Sequence, residues 1–228
     1  MPGRAPLLTA ASCVAAMALL ALVALRTSAG SALDHAVLRG FVTLDHRPLG
    51  PISLAITDLG EPLPIAVACL ALAGVAARRR DAWRAVAVAT LPVVSAGSTV
   101  LLQNALATPR FEPALGTDQV GAAAFPSGHT TAAATVAACA VLVAEPAARR
   151  AAAIAGTAFA ASMGGALLIT GEHYPSDVLA SGLLVGGWTC VALWALERLA
   201  LSSSASRGPS TAHGAGGGLP PPAPEGEA

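Results

Sequence analysis

The chain has 228 residues, 54% of them hydrophobic and only 11% charged, with 13 basic and 13 acidic side chains. Soluble domains carry roughly 25% charged residues, so this composition excludes a soluble surface and points to an integral membrane protein. The balanced charge gives no basis for nucleic-acid binding, and all thirteen basic residues are arginine.

The first apolar run covers residues 5–25, behind Arg4. At about twenty residues it is nearer a spanning helix than the roughly 7–15 of a signal-peptide core. A signal peptide cleaved near Thr27-Ser28-Ala29 is the competing reading, and a retained span is the expectation. Residues 30–61 are mixed, with Asp34, His35, Arg39, Asp45, His46, Arg47, Asp58 and Glu61. Leu33, Val37, Leu38, Phe41 and Val42 recur at helical spacing, which suits an amphipathic helix on the membrane surface or a partly inserted loop. Asp45-His46-Arg47 reads as a solvated loop.

A second span is expected over residues 63–77. It ends at the arginine cluster Arg78-Arg79-Arg80-Asp81-Ala82-Trp83-Arg84, which marks the cytoplasmic side. The third span covers residues 85–107, with Pro92 inside it as an expected kink. The loop 108–125 then lies outside and carries Arg110, Glu112 and Asp118. The fourth span runs over 127–144, closed by Arg149-Arg150, and the fifth over 151–170. A short outer turn leads into the sixth, 176–199, which ends at Glu197 and Arg198.

The expected fold is therefore all-α, a six-transmembrane-helix bundle with both termini cytoplasmic. Arg4, the Arg78–Arg84 cluster, Arg149-Arg150 and Arg198 all fall on one side, although Arg26, Arg39, Arg47 and Arg110 lie on the other. Gly182 and Gly186 form a GxxxG step suited to close helix packing. Three regions follow: the first span (1–29), a membrane domain (30–200) and a Gly/Pro/Ser-rich tail (201–228) expected to be disordered and cytoplasmic. Cys13, Cys69, Cys139 and Cys190 fall singly in four apolar runs, and read as small buried hydrophobes rather than a disulfide or zinc set.

Two short stretches carry the chemistry. One is Phe125-Pro126-Ser127-Gly128-His129, the other His173-Tyr174-Pro175-Ser176-Asp177. The topology puts the starts of the fourth and sixth spans on the same outer face. Ser127, Gly128 and His129 open a helix whose free N–H groups and dipole suit an anion. Ser127 can cap that helix or donate to an oxyanion. His173 and Asp177 share a face if the sixth helix extends back to His173. A carboxylate beside an imidazole fixes its tautomer, and such an imidazole can attack phosphorus. A second histidine can protonate the leaving alkoxide. Arg110, in the same layer, can hold phosphoryl oxygens. The bland alternative is a pair of interfacial histidines that only cap or snorkel.

These residues resemble the type-2 phosphatidic acid phosphatase superfamily, membrane lipid phosphate phosphatases that share a histidine-nucleophile fold with vanadium-dependent haloperoxidases. Pro126 to His129 match the family's Pro-Ser-Gly-His segment, and His173 and Asp177 match its His-x-x-x-Asp segment, over about residues 30–200. The resemblance implies His173 as nucleophile forming a phosphohistidine, Asp177 as its orienter and His129 as general acid. It assigns Ser127, Gly128 and Arg110 to phosphate, with no metal and no cofactor. Four positions depart from the pattern, among them Phe111 where the family has proline and Ala166 where it has serine. Gln103 stands where the family has lysine, keeping a donor but no charge; Leu167 stands where it has arginine.

The function expected on these grounds is hydrolysis of a lipid phosphate at the outer face of a bacterial plasma membrane, the partners being that lipid and the bilayer. Phosphatidic acid, phosphatidylglycerol phosphate and polyprenyl diphosphate are the candidate substrates. The competing readings are a member that has lost activity and binds headgroups or a membrane partner, and a transporter, which the scarcity of ionisable residues within the spans disfavours.

Overall fold

The computed structural model describes residues 4–45 and 48–205. Among them the chain forms eight α-helices and one 3₁₀ turn, and no strand. The helices are α1 (Ala5–Arg26), α2 (Ser28–Val42), α3 (Leu49–Asp58), α4 (Pro62–Arg78), α5 (Ala82–Ala105), α6 (Gly128–Val143), α7 (Arg149–Ile169) and α8 (Pro175–Ala205), with the 3₁₀ turn at Pro113–Leu115.

The starts are written locally. Proline opens α4 and α8, where its missing N–H costs nothing. Thr27, Asp81 and Ser127 cap α2, α5 and α6 by accepting from Gly30, Arg84 and Thr130 N–H groups. α5 runs on as a helix through Pro92.

Among the described residues, four helices are long and apolar enough to cross a membrane: α1, α5, α7 and α8. α3 and α4 together make a fifth candidate, bent by 56° at their junction. α6 has 16 residues, about 24 Å at 1.5 Å per residue, short of the roughly 30 Å hydrocarbon layer. The protein is a multi-pass membrane protein with four or five candidate spans among the described residues; of the six expected, the second corresponds to α4, which meets α3 at the bend, and the fourth to the shorter α6. Large apolar side chains such as Leu8, Leu63, Leu70, Val93 and Leu101 stay exposed on the outside of the bundle, as lipid-facing positions do.

α1 packs along α8, α6 lies against both α5 and α7, and α3 lies against α7. One apolar cluster joins Ala76, Val88, Leu91, Cys139, Leu142 and Val143. A second, around Leu38, Val120, Ala124, Leu168 and Tyr174, sits at the opposite end, under the loop after α5. A third, Ala133, Met163 and Leu167, joins α6 to α7. Gly164 lets α8 approach closely, since a Cβ there would lie 2.4 Å from Val178 Cγ1. The expected Gly182–Gly186 step works only in part: Gly186 and Gly187 face Cys13 on α1, whereas Gly182 faces open space.

Within the mixed segment 30–61, the helical spacing of Leu33 to Val42 falls in α2, and a second helix, α3, follows and meets α4 at the 56° bend. Asp34 and Leu38, four residues apart on α2, are both buried. Of Asp45-His46-Arg47, only Asp45 lies within the described residues. α8 continues to Ala205, past the expected end near residue 199; most of the proposed tail lies outside the described residues.

Candidate active site

The first turn of α6 and the first turn of α8 are bolted together. The Ser127 N–H donates to the Asp177 carbonyl at 3.1 Å, and the Ser181 hydroxyl donates to the Ser127 carbonyl at 2.8 Å. Gln103 reaches across from the end of α5 to donate to the Pro126 carbonyl at 3.0 Å. Ser127 is fully buried and its hydroxyl accepts from Thr130 N–H, so it acts as the helix cap. Among the described residues the Gly128 and His129 N–H groups have no acceptor, which leaves this helix end available to an anion.

α8 begins at Pro175, so His173 sits in the preceding turn rather than on the helix. It still meets Asp177. His173 Nδ1 lies 3.5 Å from Asp177 Oδ2, an ion-pair distance that is long for a well-formed hydrogen bond. Asp177 is wholly buried, and its Oδ2 also accepts the Tyr174 N–H at 2.9 Å. That is the returning half of a capping box, with an acidic residue on the third helical position.

Arg110 is the other partner of Asp177. Its Nη2 donates to both carboxylate oxygens, at 2.7 and 2.9 Å. Its Nη1 donates to Asp34 Oδ2 at 3.1 Å. The guanidinium is 7% exposed and lies 3.8 Å above the Tyr174 ring, a cation–π contact. His35 meets the same ring edge-on at 4.9 Å. Burial pushes the Tyr174 hydroxyl up to about 12, so it stays protonated.

Two further carboxylates line this end. Burial raises the Asp34 carboxyl above its ordinary range, against the opposing pull of hydrogen bonds from Ser176 and the charge of Arg110. Burial also acts on Glu112, but there the Ala114 N–H, the His35 hydrogen bond and the Arg39 charge win and hold the carboxyl below its usual value. Glu112 accepts from Arg39 Nη1 at 3.0 Å and pairs with His35 Nδ1 at 2.9 Å. Asp34, His35 and Arg39 lie on α2, as the helical spacing suggested, and there they fasten the loop after α5.

His129 is 30% exposed, with its Nε2 3.6 Å from Glu61 Oε1. Gly60, in the break between α3 and α4, presses on the same ring: a Cβ there would lie 2.6 Å from His129 Cδ2 and 3.0 Å from Met163 Cε. The methionine can yield, but the imidazole must turn. Gly60→Ala is therefore expected to turn the His129 ring from its place beside Glu61 with little loss of thermal stability; histidine ring NMR and a melting curve check both.

Leu167 is fully buried with Ala133 and Met163. It belongs to the packing between α6 and α7. Sequence reasoning missed Asp34, Gly60, Glu61, Tyr174 and Ser181. Asp34 had one signal, its place four residues before Leu38 on an otherwise apolar helix face; the others depend on contacts between distant segments.

Residues 103–200 match the family model of the PAP2 superfamily. Comparison with curated proteins gives no match. Among solved structures, the fold is similar to that of a transmembrane PAP2-type phosphatidylglycerolphosphate phosphatase from Bacillus subtilis. The TM-score is 0.67 at 21% identity, over 84% of this chain and 97% of that one. The matched segment contains Gln103, Arg110, the α6 mouth, His173 and Asp177; Asp34, Gly60 and Glu61 precede it.

Proposed function

We infer that this protein is an integral membrane phosphatase that hydrolyses a lipid-linked phosphate monoester or diphosphate through a phosphohistidine at His173. The observation that carries the reading is the Ser127–Asp177 backbone contact, which joins the two histidine-bearing turns into one site. Asp177 faces Nδ1 of His173, so Nε2 is the nitrogen free to attack phosphorus. The P–N bond forms as the P–O bond to the lipid breaks, and His129 gives its proton to the leaving alkoxide. Water then attacks the phosphohistidine with His129 taking its proton. Inorganic phosphate leaves, and His173 is restored.

Phosphate contacts fall to the Gly128 and His129 N–H groups and to Gln103, because Arg110 is occupied by Asp34 and Asp177. An apolar cavity of about 370 Å³ reaches the mouth at Gln103 and Gly128 and runs between α4, α5 and α6 past Ile65, Cys69 and Val100. Its lining supports a substrate with a hydrocarbon tail. Phosphatidylglycerol phosphate, phosphatidic acid and polyprenyl diphosphate are the candidates, the first also favoured by the name of the similar structure. The arginine distribution supports a site on the outer face of a bacterial plasma membrane with cytoplasmic termini, and the packing of α1 along α8 supports a retained first span. A phosphate-release screen over these lipids, with His129→Ala and His173→Ala as controls, tests the reading; phosphate release by His173→Ala at the parent rate overturns it.

A second reading, a lipid-binding member without turnover, is favoured by the missing cations. Leu167 is locked in the core and Gln103 is neutral. Failure to trap phosphate on His173 while headgroup binding persists selects it. If the enzyme is active, Gln103→Lys is expected to lower KM roughly tenfold, because one charge-assisted hydrogen bond is worth about 1.5 kcal/mol or more; an unchanged or higher KM places Gln103 away from the phosphate.

A further inference from the structure

We propose that Asp34 on α2 is a positioning residue of the His173 site, holding Arg110 and the first turn of α8 so that Asp177 sits behind His173. The proposal rests on the phosphohistidine reading above. It adds to the site a residue 69 positions before the matched PAP2 segment begins at residue 103.

Asp34 is 6% exposed, and both of its oxygens are used. Oδ1 accepts the Ser176 N–H at 3.0 Å. Oδ2 accepts the Ser176 hydroxyl and, at 3.1 Å, Arg110 Nη1. Ser176 is the second residue of α8, where helix N–H groups have no partner of their own. Such a donor is ordinarily satisfied by the residue just before the helix. Here the acceptor comes from another helix, 142 positions earlier in the chain. Asp34 thus caps α8 from α2.

The same carboxylate fixes one prong of Arg110 while the other prong holds Asp177. The guanidinium is planar, so fixing Nη1 fixes the direction of Nη2. Asp177 receives Arg110 on both oxygens and faces His173 with one of them. The order of contacts is Asp34, Arg110, Asp177, His173, with Ser176 as a parallel link through the helix turn. α2 braces the loop a second time, through His35 and Arg39 on Glu112, two residues beyond Arg110. A mere staple between helices would need one hydrogen bond; Asp34 instead engages both elements that present Asp177.

The test uses the full chain in lipid nanodiscs with two variants, Asp34→Asn and Ser176→Ala, and their double. Asp34→Asn keeps size and an acceptor but removes the charge facing Arg110. It is expected to lower kcat about tenfold or more with KM changed less than about threefold, since it touches positioning and not substrate binding. Ser176→Ala gives a smaller fall, and the double variant is no worse than Asp34→Asn beyond about twofold, as expected of residues acting through one link. Ring-nitrogen NMR of histidine-labelled protein gives a readout that needs no turnover: His173 signals move in both variants while those of His129 stay in place. Unmoved His173 signals, an unchanged kcat, or losses that multiply in the double variant overturn the proposal. If Asp34→Asn does not fold, Ser176→Ala decides by the same two readouts. If the parent releases no phosphate, the phosphatase reading fails, and the His173 signals alone decide the role of Asp34.

Discussion

His173→Ala is expected to cut phosphate release from a lipid phosphate by about 10³-fold or more and to abolish any acid-labile phosphoenzyme. On the phosphohistidine reading proposed above, His173 has no substitute within the site, and losses of this order follow removal of a residue that forms the covalent intermediate. The fold should survive the change. His173 Nδ1 makes no hydrogen bond in the structure, and its nearest polar partner is the Asp177 oxygen at 3.5 Å. Asp177 remains held by Arg110 and by the Tyr174 N–H. A melting curve near that of the parent, together with lost turnover, is the expected pair of results. A variant that is inactive because it is unfolded would show a lowered melting temperature instead.

The second large effect concerns stability. Arg110→Ala is expected to destabilise the protein by about 3–5 kcal/mol, because it strips the counter-charge from two buried carboxylates at once. Asp34 and Asp177 are 8% and 0% exposed as side chains, and Arg110 is the cation paired with both. Arg110→Lys should recover only part of the loss. An ammonium keeps the charge but cannot send one fixed prong to Asp34 and a bidentate one to Asp177. Chemical unfolding of detergent-solubilised protein measures both variants. An Arg110→Ala protein as stable as the parent would show that the bridge between the two carboxylates contributes nothing net. The variant bears on catalysis too, since freeing Asp177 removes the carboxylate that faces His173 from its fixed place.

Most of the helical frame was legible in the sequence. Long apolar runs cannot satisfy their backbone in lipid except as helices, so α1, α4, α5, α7 and α8 fall where hydropathy puts them, within a few residues at most ends. The mouths of α6 and α8 were legible as well, because Pro126-Ser127 and Pro175-Ser176 are start signals that act over a single turn. The segment between α1 and α4 was not. α2 and α3 carry polar residues that pattern analysis assigns to a surface, and their burial depends on partners such as Arg110, Ser176 and Glu112 contributed by segments far along the chain.

Arg110 carries contacts that the sequence did not show. Its position in the outer layer and its place in the family pattern suggested a phosphate ligand. The structure commits both of its terminal nitrogens to carboxylates. A charge run cannot reveal which counter-charge a side chain will meet, since that depends on how two helices and a loop converge. Leu167 is the converse case. Against the resembled pattern, Leu167 reads from sequence as a gap in an anion site, and in the structure it packs with Ala133 and Met163 in the core.

By itself, then, the sequence determined an all-helical membrane protein with His129 and His173 at helix mouths, because composition and helix-start chemistry act locally. Tertiary structure decided the rest. It brought the Ser127 N–H to the Asp177 carbonyl, set Gly60 and Glu61 against His129, and closed Asp34 and Asp177 around Arg110. The physical reason is that a buried charge must find its partner in space, and no spacing along the chain specifies a partner 76 residues away, the separation of Asp34 and Arg110.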